Sequence, residues 1–152
     1  MRRGDLPTYL VFLVLVVGGG LLVGSANIPD GWYASLAKPP FNPPNWIFGP
    51  VWTILYIMIA VAGARTWLGE RRGGAMAAWW AQLVFNFLWS PVFFTLHSIG
   101  SALVVVLAMA VAVAAFIALT WRVDRPAALL FIPYFAWVSF ASLLNASILW
   151  LN

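Results

Sequence analysis

Five long apolar stretches separated by polar segments run along the chain. They cover approximately residues 6–26, 46–68, 75–96, 99–121 and 127–151. Each is close to the roughly 20 residues that a helix needs to cross a bilayer. None alternates apolar and polar residues as a strand would, and lipid does not tolerate an open sheet edge. The pattern therefore predicts an all-α membrane protein, a bundle of five transmembrane helices.

The later polar breaks are short. Residues 69–74 read Gly-Glu-Arg-Arg-Gly-Gly, His97-Ser98 is tighter still, and Pro126 falls in the first turn of the last stretch. Short loops of this kind favour antiparallel packing of the two helices that they join. The chain has 152 residues and no internal repeat, so we expect one domain covering residues 1–152.

The first break, residues 27–45, is long and rich in proline and tryptophan. Connections longer than about 12–15 residues are usually functional. Pro39-Pro40 and Pro43-Pro44 stiffen it, and Trp32–Leu36 fits a short amphipathic turn on the mouth of the bundle. We therefore predict that this loop is the lid of a ligand pocket, with Trp52 about one turn below the rim.

Composition and charge support a membrane location. Hydrophobic residues make up 64% and charged residues 8% of the chain, against about 45–50% and about 25% in soluble domains. Lys38 would lie alone on the side of the long loop. The basic residues of the other side are Arg2, Arg3, Arg65, Arg71, Arg72, Arg122 and Arg125. The positive-inside rule then predicts a multi-pass protein of a bacterial cell membrane, with the N-terminus inside and the C-terminus outside. Basic residues scattered in this way do not form a nucleic-acid-binding patch.

The first stretch has a second interpretation. Arg2-Arg3, an apolar core over residues 10–23 and the small residues Gly24-Ser25-Ala26 also fit a secretory signal with its cleavage site. The Gly20-xxx-Gly24 spacing is typical of close packing between membrane helices. It favours an uncleaved first helix.

Several chemistries are excluded by the residues that the chain contains. It has no cysteine and one histidine, so a metal site is not expected. The acids lie in loops or at helix ends: Asp5, Asp30, Glu70 and Asp124. A proton relay or ion path needs such groups inside the membrane. His97 has no neighbouring partner in sequence, and we expect a turn role for it.

Polar and aromatic residues inside the stretches are candidates for a binding site. Gln82, Asn86 and Ser90 form one stripe, and a second is predicted for Ser139, Ser142 and Asn145. Hydrogen bonding between helices or orientation of a ligand would each explain them. Pro91 and Pro133 are expected to kink their helices. Trp52, Trp89 and Trp137 lie deep in their stretches and suit either core packing or a planar aromatic ligand.

The chain resembles the translocator protein family, the TspO/MBR or tryptophan-rich sensory proteins. The residues that carry the resemblance are Trp32-Tyr33, Leu36, Lys38-Pro39, Pro43-Pro44, Phe48, Trp52, Gln82, Asn86, Trp89, Pro91–Phe94, Pro133-Tyr134, Trp137, Phe140-Ala141 and Leu144-Asn145. They occur in the order and with the spacing of the family over nearly the whole chain. The resemblance implies a five-helix bundle, usually a homodimer, with a cavity closed by the first loop.

What the resemblance implies about ligands is a porphyrin such as protoporphyrin IX, or a haem-like tetrapyrrole, with no cofactor required. Members are described as receptors, transporters, stress sensors or agents of light-dependent porphyrin breakdown. Trp52 and Trp137 match the tryptophans implicated in binding and breakdown. The full set of candidate ligand-binding residues is Trp32, Pro43, Pro44, Trp52, Gln82, Asn86, Trp89, Tyr134, Trp137, Ala141, Leu144 and Asn145.

Two further points limit the function. Animal members end their fifth helix with a sterol-recognition pattern that contains tyrosine and a basic residue, whereas residues 145–152 contain neither. Cholesterol is therefore not favoured as a ligand. A membrane scaffold or regulatory protein remains an alternative, in which the small-residue lines Ala77-xxx-Ala81 and Ala110-xxx-Ala114-xxx-Ala118 would form the interface.

Overall fold

The computed structural model describes residues 2–152, and within that range the chain is helical without any strand. The first helical stretch consists of a 3-10 turn (Arg3–Asp5), α1 (Leu6–Leu13), a π segment (Val14–Gly18) and α2 (Gly19–Ala26). The rest consists of α3 (Gly31–Ser35), α4 (Asn45–Gly69), α5 (Gly74–Ser90), a second π segment (Pro91–Thr95), α6 (Ile99–Thr120) and α7 (Arg125–Leu151). The predicted all-α class is confirmed.

Four helical stretches are long and apolar enough to cross a membrane: Arg3–Ala26, Asn45–Gly69, Ile99–Thr120 and Arg125–Leu151. The predicted count of five is not confirmed, because α5 ends after 17 residues. Pro91 lacks the backbone N–H that an α-helix needs. The chain continues from it as a π turn, in which the N–H of Leu96 donates to the carbonyl of Pro91 at 2.9 Å. Pro133, by contrast, lies inside an unbroken α7.

The core lies where α4 and α6 meet the other long helices. α6 packs along both α5 and α7, and α4 packs against α1 and α7. The largest fully buried side chains include Trp79, Phe116, Phe131 and Tyr134. Such aromatic side chains contribute large contact areas to the packing between these helices.

Glycines allow the first helical stretch and α4 to lie close to aromatic side chains of neighbouring helices. A Cβ on Gly20 would clash with the ring of Tyr56, and one on Gly63 would clash with Trp79. Gly24 has nothing within 4 Å of its Cβ position. The predicted Gly20-xxx-Gly24 packing surface is therefore wrong in its second half, since only Gly20 faces a neighbouring helix.

Two contacts mark opposite ends of the bundle. Arg65, near the end of α4, donates three hydrogen bonds to the carboxylate of Asp124 just before α7, with a shortest distance of 2.8 Å. At the other end, the side-chain amide of Asn152 both donates to and accepts from the backbone of Ala37, at 2.9 and 3.0 Å. The first loop is thereby held against the C-terminal end of α7, far from Arg65.

Candidate functional site

A cavity of about 570 Å³ lies inside the bundle beneath the first loop. Its walls come from α2, α4, α5, the second π segment, α6 and α7, and they are mainly apolar. No charged side chain lines it in the part of the chain that the structure covers. Such a space suits an apolar ligand oriented by a few polar groups.

Seven of the twelve predicted ligand-binding residues line this cavity. They are Trp52, Asn86, Trp89, Trp137, Ala141, Leu144 and Asn145. They come from three helices that are distant in sequence, and the inward-facing positions of each helix bring them together. Their placement is a structural result, whereas their role as ligand contacts stays a prediction.

The aromatic wall on α4 is larger than predicted. Phe48, Trp52 and Tyr56 are spaced by four residues, so they lie on one face of the helix. Trp52 stacks on Tyr56 with ring centroids 5.5 Å apart, and Phe48 meets the ring of Trp137 edge to face at 5.8 Å. The four-residue spacing from Trp52 was the signal that could have identified Tyr56.

A chain of hydrogen bonds leads from the cavity into the core. The hydroxyl of Tyr56 donates to Oδ1 of Asn86 at 3.3 Å, and Nδ2 of Asn86 donates to the hydroxyl of Tyr134 at 2.7 Å. That hydroxyl donates in turn to Oε1 of Gln82 at 2.7 Å. Gln82 and Tyr134 are fully buried and do not line the cavity. They lie behind Asn86, where they fix the orientation of its amide.

The second predicted polar stripe is wrong for two of its three residues. Ser139 is exposed, and the hydroxyl of Ser142 donates to the carbonyl of Val138 in its own helix. Steps of three residues rotate the direction of the side chains around a helix of 3.6 residues per turn. Only Asn145 reaches the interior, where it accepts from the indole N–H of Trp89 and donates to the carbonyl of Ile99, both at 3.0 Å.

One polar atom of the cavity-lining residues stands out. The indole nitrogen of Trp137 is buried without a hydrogen-bond partner among residues 2–152. A buried N–H that loses its bonds to water costs about 1–3 kcal/mol when nothing replaces them. Trp137 therefore carries an unpaired donor that lies out of reach of water.

The first loop covers the mouth of the cavity as a short helix. Asp30 caps α3, since the backbone N–H of Tyr33 donates to its Oδ1 at 3.2 Å, and this bond holds the pKa of Asp30 below its usual value. Tyr33 is buried and lines the cavity from above. The side chain of Lys38 donates to the carbonyls of Tyr33 and Leu36, at 2.7 and 3.2 Å. The predicted lid position is thus occupied by a structured segment.

Three predicted site residues of this loop lie outside the main cavity. Pro43 and Pro44 line an adjacent pocket of about 550 Å³ together with Lys38. Trp32 turns the other way and stacks on His97, with ring centroids 4.2 Å apart. Its position is set by the turn before α6, and no pattern in the sequence places that turn beside the loop.

Comparison of the sequence with known proteins identifies its family. The model of the TspO/MBR family matches residues 11–151. The chain is 40% identical over 148 residues to the tryptophan-rich sensory protein of Cereibacter sphaeroides, covering 97% of this chain and 93% of that protein. It is 36% identical to protein CrtK of Rhodobacter capsulatus, covering 97% and 94%, and 38% identical to the human translocator protein, covering 83% and 79%. The chain therefore belongs to the TspO/MBR family.

Proposed function

We propose that this protein is a membrane receptor or carrier that binds porphyrins, such as protoporphyrin IX and haem-like tetrapyrroles, in the cavity beneath the first loop. The observation that carries the proposal is the wall formed by Trp52, Trp89 and Trp137 around an apolar space of about 570 Å³. The volume falls in the usual range of ligand sites, about 300–1,000 Å³. Burial of a flat macrocycle there would be favourable by about 25 cal/mol per Å² of apolar surface.

The lining of the site contains few polar groups and no charged one among the residues that the structure describes. Asn86 lies in the wall of the cavity, and its amide is held by Tyr134. Because the lining is uncharged, carboxylates of a ligand would stay at the mouth, where Lys38 is the nearest cation of the lid. This arrangement fits a tetrapyrrole with an apolar ring and acidic side chains.

A bundle of five transmembrane helices is part of the proposal. The stretch from α5 through the second π segment begins beside the end of α6, where Gly74 approaches Leu119. It ends at the lid, where Thr95 donates to the side chain of Asn27. It therefore runs the length of the bundle. With the charge distribution, this supports an orientation with the N-terminus inside and the lid outside.

We also propose a homodimer. Ala114 and Ala118 of α6 are exposed in the single chain, on a face of small residues that would allow close helix contact. A cysteine introduced at Ala114 should cross-link two copies in membranes, whereas one at the exposed Leu143 of α7 should not.

A second candidate function is light-dependent breakdown of a bound porphyrin. It is favoured by one observation, that Trp52 and Trp137 line the same cavity and would both contact one ligand. Light and dioxygen would supply the oxidising species, and a tryptophan would act as electron donor or acceptor. A new absorbing product that forms only under light, and is lost when both residues are phenylalanine, would support this function over simple binding.

The binding proposal is tested by filling the cavity. Ala141→Leu adds bulk inside the cavity, whereas Ala136→Leu adds the same bulk on the exposed side of the same helix. We expect Ala141→Leu to weaken protoporphyrin IX binding at least tenfold and Ala136→Leu to leave it within twofold. Equal affinities of the two variants would contradict the assignment of the cavity.

A further inference from the structure

We propose that the cavity has a side entrance between α2 and α4, through which an amphiphilic ligand passes directly from the lipid bilayer while the lid stays closed. The part of this inference that concerns a tetrapyrrole rests on the proposed function. The side entrance itself is a feature of the helix bundle and can be measured with a reagent other than the ligand.

The upper half of the first helical stretch is held against α5. A Cβ on Gly19 would meet the ring of Phe87 of α5. At the end of α2, the hydroxyl of Thr95, in the π segment that continues α5, donates to Oδ1 of Asn27. α4, by contrast, packs against α1 and the first π segment. Because α2 is fastened to the α5 side at both of its ends, a gap is left between α2 and α4.

Residues on both sides of this gap line the cavity and are also exposed at the surface of the chain. On α2 they are Leu21, Gly24 and Ser25, and on α4 they are Gly49 and Thr53. Spacings of three and four residues place each set on one face of its helix. A residue that both lines a cavity and is exposed lies at an opening, so these two faces form the edges of one. The cavity is therefore open sideways between α2 and α4.

Two glycines leave this opening unobstructed. A Cβ on Gly24 or on Gly49 would have no atom within 4 Å. Neither residue has a positive φ, so the backbone at these positions does not require glycine. Larger side chains would fit the backbone at both positions and would fill the space between the two helices.

The side entrance reaches from the lid into the apolar part of the bundle. It begins at Asn45, the first residue of α4, and ends where the ring of Tyr56 meets Gly20. This is about 16 Å of helix, or roughly half of the hydrocarbon thickness of a bilayer. The side chains outside it are apolar, since Leu22 of α2 and Ile54 of α4 are 71% and 55% exposed. An exposed apolar surface on helices long enough to cross a membrane faces lipid.

The polar groups along the side entrance suit a ligand with an apolar ring and acidic groups. The hydroxyls of Ser25 and Thr53 donate to carbonyls of their own helices, at 3.0 and 2.8 Å. They therefore need no partner from a passing molecule. The amide of Asn45 lies at the lid end, beside the membrane surface. Such a ligand would cross with its ring in lipid and its acids at the surface, so no charge would enter the apolar interior.

The lid, by contrast, is fastened. The side chain of Asn152 makes two hydrogen bonds to the backbone of Ala37. Within the lid, Lys38 donates to the carbonyls of Tyr33 and Leu36. Entry beneath the lid would break the bonds to Asn152, whereas passage between α2 and α4 breaks none of these bonds.

The side entrance can be tested without porphyrin, because the chain contains no cysteine. A cysteine introduced at Ala141 lies inside the cavity. In liposomes it should react with N-phenylmaleimide, which dissolves in lipid, and hardly with a charged thiosulfonate added to the water. An entrance variant, Gly24→Leu with Gly49→Leu, should slow the maleimide about tenfold, a rise of about 1.4 kcal/mol in the barrier.

A matched control variant is Gly18→Leu with Gly100→Leu. These glycines also have nothing within 4 Å of their Cβ positions, but they do not line the cavity. The control variant should react at the rate of the parent Ala141→Cys protein. Equal slowing in the entrance and control variants, no slowing in either, or faster reaction with the charged reagent would overturn the side entrance.

The consequence for the ligand is tested by the kinetics of tryptophan quenching by protoporphyrin IX in liposomes. The entrance variant should slow both association and release about tenfold relative to the control variant. Faster release would indicate lost ligand contacts instead and would overturn the inference. Asn152→Ala frees the lid and should leave the association rate unchanged, whereas faster association would show entry beneath the lid. If no saturable binding is found at all, the proposed function fails, and the reactivity of the cysteine at Ala141 still decides whether the side entrance exists.

Discussion

The side-chain amide of Asn86 donates to the hydroxyl of Tyr134 across 2.7 Å, joining α5 to α7 directly behind the cavity. Tyr134 is fully buried, and its own proton goes to Gln82. The hydroxyl thus pairs with Nδ2 of Asn86 and with Oε1 of Gln82, whereas Nε2 of Gln82 is buried without a partner. The bond fixes the orientation of the Asn86 amide at the wall of the cavity.

Replacing this tyrosine should destabilise the bundle. Tyr134→Phe leaves the amide of Asn86 and Oε1 of Gln82 without their partner, and we expect the free energy of unfolding to fall by about 1–3 kcal/mol. Thermal unfolding in detergent measures the change. Ser147→Ala is the control, because the hydroxyl of Ser147 bonds only within its own helix and its loss should cost less than about 0.5 kcal/mol. Equal stability of the two variants would argue against the network.

Gly20 and Gly24 should respond differently to a methyl group. Gly20→Ala places a Cβ against the ring of Tyr56 and should destabilise the protein by about 1–3 kcal/mol, since overpacking forces the neighbours apart. Gly24→Ala meets nothing within 4 Å and should fold normally. The pair can be compared by thermal unfolding of purified protein. Equal loss in both would indicate that the two glycines pack alike.

The membrane topology can be mapped with single cysteines, because the chain has none of its own. An impermeant thiol reagent should label Ser35→Cys in the lid and Ser98→Cys before α6 in intact cells. Arg72→Cys and Val123→Cys should be labelled only after lysis. This result requires the stretch from α5 through Pro91–Thr95 to cross the membrane. Labelling of Ser98→Cys and Arg72→Cys from the same side would contradict five spans.

The sequence predicted the helices well and the direction of individual side chains less well. Long apolar stretches determine where membrane helices lie, so the observed bounds of α4, α6 and α7 differ from the predicted ones by no more than two residues. The break of α5 at Pro91 was expected as a kink. Its form as a π turn depends on packing that the local pattern does not contain.

The sequence predicted several of the residues that line the cavity, but it did not predict which polar residues lie buried behind the cavity wall. The sequence places Trp52, Trp89 and Trp137 deep in their apolar stretches, and all three line the cavity. Gln82 lies on the same helix face as Asn86. Helical periodicity alone therefore could not show that Gln82 is buried behind the cavity wall while Asn86 lines the cavity. Its burial follows from Tyr134 on α7, a contact between residues 52 positions apart.

The His97 contacts lay beyond sequence reasoning for a similar reason. A lone histidine in a turn has no neighbouring partner, and both of its partners, Asp30 and Trp32, belong to the first loop. Only the folded position of α3 brings them together.

The central claim, that the cavity binds a tetrapyrrole between its tryptophans, is tested most directly by fluorescence titration. Protoporphyrin IX added to the purified protein should quench tryptophan emission to saturation with one binding site per chain. Trp52→Phe combined with Trp137→Phe should remove much of the quenching and weaken binding, because both rings line the cavity. Absence of saturable quenching in the wild type, or an unchanged titration in the double variant, would contradict the account.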